Sequence, residues 1–154
     1  PQGSLMKALV CTMFTAITAA VAMPVHAQFS KPEDAVRYRQ SAFFLMGQQM
    51  GRINGQLRAD KPNVQTIQSA AALLNAIDQA PYEGFGPGTE TLKSRTKPEL
   101  YRDGPKVREL AERMQAEVTK LDAAAKSGDL AAVRAAFGAV GQSCKACHDQ
   151  YRTD

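Results

Sequence analysis

The chain is poor in the residues that bind soft metals, with three cysteines and two histidines among 154 residues. It has no segment with the strict two-residue alternation of a half-buried strand, so a sheet-based fold is excluded and a helical one is expected. Its formal charge of +4 is too small, and its Lys and Arg too scattered, to support nucleic-acid binding. The longest apolar run, Ala8 to Met23, is too short and too rich in alanine to span a bilayer, which takes roughly 20 apolar residues.

What that run resembles instead is a leader. Met6 and Lys7 open a short basic segment, the apolar stretch follows, and Val25-His26-Ala27 has the small-x-small pattern of a cleavage site. We expect residues 1–27 to be a signal peptide cut between Ala27 and Gln28, with residues 1–5 upstream of the natural start. Cys11 is then discarded with the leader, because Leu9-Val10 makes a poor lipoprotein box. Taking Lys7 out of the formal +4 leaves +3 for a mature chain of residues 28–154, a length suited to one domain with no membrane span. In that chain the only cysteines are Cys144 and Cys147, and the only histidine is His148.

Four segments have helical period, separated by turn residues. The first opens at Ser30-Lys31-Pro32-Glu33, where Ser30 is a candidate cap, and runs to about Arg58. Its run Ala42-Phe43-Phe44-Leu45-Met46 points apolar side chains to every side, which fits either a fully buried helix or one with a partner. The second follows Pro62-Asn63 and must end before Pro81. A long loop with Gly84, Gly86, Pro87, Gly88 and Pro98 comes next. The third helix, with Asp103 as candidate cap and Pro105 in its first turn, buries Val107, Leu110, Met114, Val118 and Leu121 and stops at Ser127-Gly128. Asp129 caps the fourth. These periods predict an antiparallel up-down-up-down four-helix bundle.

The fourth helix carries the chemistry. Its apolar stripe is Leu130, Val133, Phe137 and Val140, and the next two positions on the same face are Cys144 and Cys147. His148 lies one turn beyond Cys144, so all three side chains project together. In Cys144-Lys145-Ala146-Cys147-His148 the two thiols can add to the vinyl groups of one porphyrin while the imidazole faces the iron, which predicts a single covalent haem c. Three other readings compete: a disulfide between the two cysteines, a zinc site that lacks a fourth good ligand, and a redox dithiol. The dithiol would sit at the wrong end of its helix for the dipole to lower a thiol pKa.

These residues resemble cytochrome c′, the class II c-type cytochromes of the bacterial periplasm. The likeness runs through Gln28-Phe29-Ser30-Lys31-Pro32-Glu33, Tyr38-Arg39-Gln40-Ser41-Ala42, Phe85-Gly86-Pro87-Gly88-Thr89-Glu90 and Cys144 to Arg152, with the loop after Glu90 slightly expanded. The resemblance implies a haem iron with His148 on one face and no protein ligand on the other. It further implies binding of nitric oxide and carbon monoxide with oxygen largely excluded, and a homodimer through the first helix. By position, Phe43 would face the iron from the distal side, where low-spin relatives carry Met. Arg152 would lie beside the proximal pocket, Arg39 and Gln40 would contact the haem propionates, and Phe85 would pack on the haem edge. Met46 and Met50 are the rivals for the sixth coordination site.

Phe43 has no lone pair to give, and an apolar ring offers no hydrogen bond to oxygen, which needs one, while NO and CO do not. The expected protein is therefore a periplasmic binding protein that captures NO, rather than an enzyme. The alternative is a six-coordinate electron carrier working with a periplasmic redox partner that the sequence does not identify. A weaker third reading, slow enzymatic reduction of NO, lacks an evident proton donor on the distal face.

Overall fold

The computed structural model describes residues 28–153, so the expected leader, with Cys11 and His26, lies outside the described residues. The helices are α1 (Pro32–Arg58), α2 (Val64–Ile77), α3 (Ala80–Glu83), α4 (Gly104–Ser127) and α5 (Leu130–Tyr151), with a 3-10 turn at Pro98–Tyr101. The four long ones form the up-down-up-down bundle, and α3 is a single turn that follows α2. Among the described residues there is no strand, only an isolated bridge between Thr96 and Arg152, and no helix is long and apolar enough to cross a membrane.

Local chemistry sets the helix ends, with two departures from expectation. Lys31, not Ser30, occupies the N-cap of α1, and no side chain caps it. Pro32 starts the helix without needing a donor, and Glu33 and Asp34 complement the positive end of the dipole. Asp103 sits at the N-cap of α4 but its carboxylate does not cap; it accepts a hydrogen bond from the Tyr151 hydroxyl instead. The other ends follow the sequence. Asn63 accepts from the Thr66 amide at 2.9 Å, and Asp129 accepts from the Ala131 and Ala132 amides at 2.9 and 3.1 Å. Gly128, at φ 75°, makes the left-handed turn that ends α4.

The main core joins Ile53 of α1, Ile67 and Leu74 of α2, Val118 and Leu121 of α4, and Val133 and Val140 of α5, all essentially inaccessible. Each such side chain contributes about 1.5–3 kcal/mol by leaving water. Helices adjacent in sequence pack along their lengths: α1 on α2, α2 on α4, α4 on α5. The closing pair, α1 and α5, barely touches. The bundle is therefore open on that side, and residues 84–103 fold across the opening. Gly84 lies so close to α1 that a Cβ there would sit 2.6 Å from the Ala35 carbonyl oxygen. At the other end, the Lys97 amide donates to the Tyr151 carbonyl and the Thr153 amide to the Arg95 carbonyl, both at 2.8 Å, tying the loop to the end of α5. A second small core of Leu100, Leu110 and Tyr151 forms beneath it.

Candidate functional site

Where α1 and α5 part, they enclose a cavity of about 620 Å³, within the range of small-molecule and cofactor pockets. The α5 wall carries Cys144, Cys147 and His148. The stripe of Val133 and Val140 is buried, but one turn later the two cysteines are only half-buried, on the wall of the cavity. The cysteines belong to different cores. Cys144 packs on the edge of the main core, and Cys147 on the small core beneath the loop. His148 lies between this cavity and a shallower cleft on its other side, lined by Arg95, Lys97, Lys145, Asp149 and Arg152.

The electrostatics favour neutral ligands here. Burial pushes the Cys144 and Cys147 thiols up from their ordinary values, opposite to the low-pKa thiol that a dithiol redox centre needs. Burial, aided by the Arg152 guanidinium and Arg95 and opposed by Asp149, lowers His148, which keeps its imidazole unprotonated with a lone pair to give. The Arg152 Nη1 lies 3.4 Å from Nδ1 of His148, and Arg152 lines both the cavity and the cleft. The two thiols are not bonded to each other, and among the described residues no three His, Cys, Asp or Glu side chains gather as a metal cage. The zinc reading therefore has no support.

The α1 wall supplies Arg39, Gln40, Phe43, Met46 and Met50. Phe43 packs edge-on against Tyr82 and Phe85, with ring centroids 6.1 and 6.4 Å away. Met46 is buried in the main core while reaching the cavity surface, and Met50 is half-buried. Phe44, next to Phe43, is 68 % exposed, which rules out a fully buried first helix. Arg39 is not an exposed surface residue either: only 2 % of it is accessible. Its Nη1 donates to the Gly84 carbonyl at 2.8 Å, its Nη2 reaches Ser94 Oγ at 3.2 Å, and its guanidinium lies 4.4 Å above the Phe85 ring. Among the described residues it has no carboxylate within ion-pair distance.

The cavity thus has two thiols and an imidazole on one wall, aromatic rings on the other, and a buried cation at its rim without an anion to match. A porphyrin with vinyl groups, a flat apolar body, a central iron and propionate carboxylates complements each of these. The family model for cytochrome C′ matches residues 34–152. The chain belongs to the cytochrome c′ family. It is 44 % identical over 126 residues to the cytochrome c′ of Alcaligenes xylosoxydans xylosoxydans, an alignment covering 81 % of this chain and 98 % of that one. Among solved structures, a nitric oxide complex of a variant cytochrome c′ from Alcaligenes xylosoxidans superposes with a TM-score of 0.77 at 41 % identity, covering 82 % of this chain and 99 % of that one. Another cytochrome c′, described as having ligand-controlled dimer dissociation, gives a TM-score of 0.77 at 32 % identity, covering 80 % and 98 %. As a cytochrome c′, the protein has one covalent haem c as its cofactor.

The structure brings every sequence-derived candidate to this one opening: Arg39, Gln40, Phe43, Phe85, Cys144, Cys147, His148 and Arg152 all line the cavity. Sequence reasoning missed Tyr82, Ser94, Arg95 and Thr96. The last three are consecutive residues of a bent loop segment that no helical period marks. Tyr82 comes directly after Pro81, which was read only as a helix breaker. An apolar ring beside Phe85 in a loop expected to cover the cofactor was the signal available for it.

Proposed function

We propose that this cytochrome c′ captures nitric oxide in the periplasm, with CO as a second ligand, and acts as a binding protein that limits nitrosative stress rather than as an enzyme. Cys144 and Cys147 would hold the haem through thioethers, and His148 would ligate its iron. Arg39 and Gln40 would serve the propionates, and Phe85 the haem edge. The cofactor supplies an iron that can exchange a gas ligand on a face left open by the protein. The chain's own part is to leave that face open, and the observation that carries the reading is Phe43. It stands on the wall opposite His148, held by Tyr82 and Phe85, with hydrocarbon and no lone pair to offer. Arg152, 3.4 Å from the imidazole, is placed to receive a hydrogen-bond acceptor on the proximal side. Export rests on the leader-like residues 1–27. A dimer through α1 is supported by the exposed apolar side chains Phe44 and Leu45 of that helix, 68 % and 39 % accessible.

One observation favours a second reading. The thioethers of Met46 and Met50 also line the cavity, and either sulfur on the iron would give a low-spin electron carrier serving a periplasmic redox partner. The absorption spectrum of the reduced holoprotein separates the two. Broad high-spin bands that change on adding CO or NO support gas capture. Sharp low-spin bands indifferent to CO would replace it with electron transfer.

A further inference from the structure

Five hydroxyl-bearing side chains line the cavity. Ser143 donates to the Val140 carbonyl at 2.7 Å, and Tyr151 donates to Asp103. Ser94 and Thr96 both accept from the Arg39 guanidinium. Tyr82 differs from these four: among the described residues its hydroxyl neither gives nor accepts a hydrogen bond. A hydroxyl with no protein partner on a half-buried side chain that lines a cavity is free to donate to whatever fills that cavity.

Packing fixes where the ring stands. Tyr82 lies in the single turn α3, anchored by the buried Pro81 before it. Its ring meets Phe43 edge-on at 6.1 Å and Phe85 at a tilt at 6.5 Å. The phenol therefore stands beside Phe43 on the wall across from His148. Burial pushes it far above the ordinary phenol range, so it keeps its proton and stays available as a donor. The neighbouring sulfurs raise it further as thiolates, a contribution that disappears when they are alkylated, but burial is the larger cause.

We propose that the Tyr82 hydroxyl is the hydrogen-bond donor of the gas pocket, a specificity-determining residue that favours ligands able to accept a hydrogen bond. The inference rests on the gas-capture reading and changes it in one respect. Phe43 gives the pocket a hydrocarbon face, but Tyr82 sets a proton next to it. The pocket then discriminates among diatomic ligands by their hydrogen-bonding ability and not by size alone, and it penalises oxygen less than hydrocarbon walls would.

The test is the infrared C–O stretch of CO added to the reduced holoprotein, recorded in H₂O and in D₂O, for the native chain and for Tyr82→Phe. That substitution keeps the ring and its packing and removes only the hydroxyl. The native stretch is expected to shift on deuteration. In Tyr82→Phe the stretch should move to higher frequency, lose its deuterium shift, and accompany a several-fold faster CO release. The deuterium shift of the native protein needs no variant, so it remains decisive if the substitution perturbs folding. A native C–O stretch blind to deuterium overturns the proposal while leaving gas capture standing. If the reduced holoprotein takes up no CO at all, gas capture and the donor role both fall.

Discussion

Replacing Arg39 with Met tests what holds the loop over the opening. The change keeps most of the aliphatic stem and removes the guanidinium. The strongest interaction lost is the 2.8 Å bond to the Gly84 carbonyl; a bond from a charged donor is worth about 1.5–3 kcal/mol, and its loss leaves a buried acceptor facing hydrocarbon. The guanidinium 4.4 Å above Phe85 adds about 1 kcal/mol as a cation–π contact. The 3.2 and 3.5 Å contacts to Ser94 and Thr96 are long and add little. Against this, Met relieves the desolvation of a cation that is 2 % exposed. The net expectation is a loss of about 2 kcal/mol in urea unfolding of the holoprotein. Arg39→Lys should recover less than half, because an ammonium cannot reproduce a planar fork shared between a carbonyl and two hydroxyls. Hydrogen exchange should quicken in residues 84–97 and stay slow in the middle of α4. A loss below about 0.5 kcal/mol, or full rescue by Lys, would show that the buried guanidinium is not what pins the loop.

Three further outcomes follow from the site and from the end of α5. Phe43→Met should convert the iron toward six-coordination, giving sharp low-spin bands in the reduced spectrum; rapid CO binding retained in the variant would show that residue 43 does not face the iron. Replacing both Cys144 and Cys147 with Ser should free the porphyrin from the chain on a denaturing gel, whereas Cys147→Ser alone should leave one thioether and an attached haem. Tyr151, hydrogen-bonded to Asp103, has its phenol pushed up to about 12 from an ordinary 10.0. Because the folded value is the higher, the stabilisation is complete below pH 10.0 and fades as pH rises toward about 12. Unfolding midpoints across that range should therefore converge with those of Tyr151→Phe at the alkaline end, and parallel curves would refute the linkage.

The fold was legible because each long helix announces itself twice, by a 3.6-residue period and by its punctuation. Gly128 and Asp129 behave as their chemistry demands. Ser30 and Asp103 were misread because a capping residue is recognised by type, while tertiary contacts decide its use. Asp103 has a better partner in Tyr151, a residue 48 positions away that no local rule connects to it. The thiols and imidazole of the site were legible because five consecutive residues hold them. The aromatic wall was legible only in part. Phe43 and Phe85 were reached through a family likeness, and Tyr82 not at all, since its role depends on α3 folding back against α1. Arg39 does line the cavity, but its burial was not foreseen, because a charged residue on a helix is usually solvated.

The opening between α1 and α5 is specified, not merely left over. A bundle whose fourth interface is missing should collapse until apolar faces meet, yet three features oppose closure. Phe43 is held by Tyr82 and Phe85 from the loop side, so it cannot sink into α5. Arg39 is fixed to the Gly84 carbonyl, and Gly84 itself lies against α1 with no room for a side chain. At the other wall, the loop pairs its backbone with residues 151–153, which holds the end of α5 at the loop's distance from α1. Meanwhile the far half of the bundle, from Ile53 through Ile67, Leu121 and Val133, is packed without reference to the cavity. Stability and site are therefore divided along the long axis: one end supplies the free energy that keeps the helices together, and the other uses it to hold them apart.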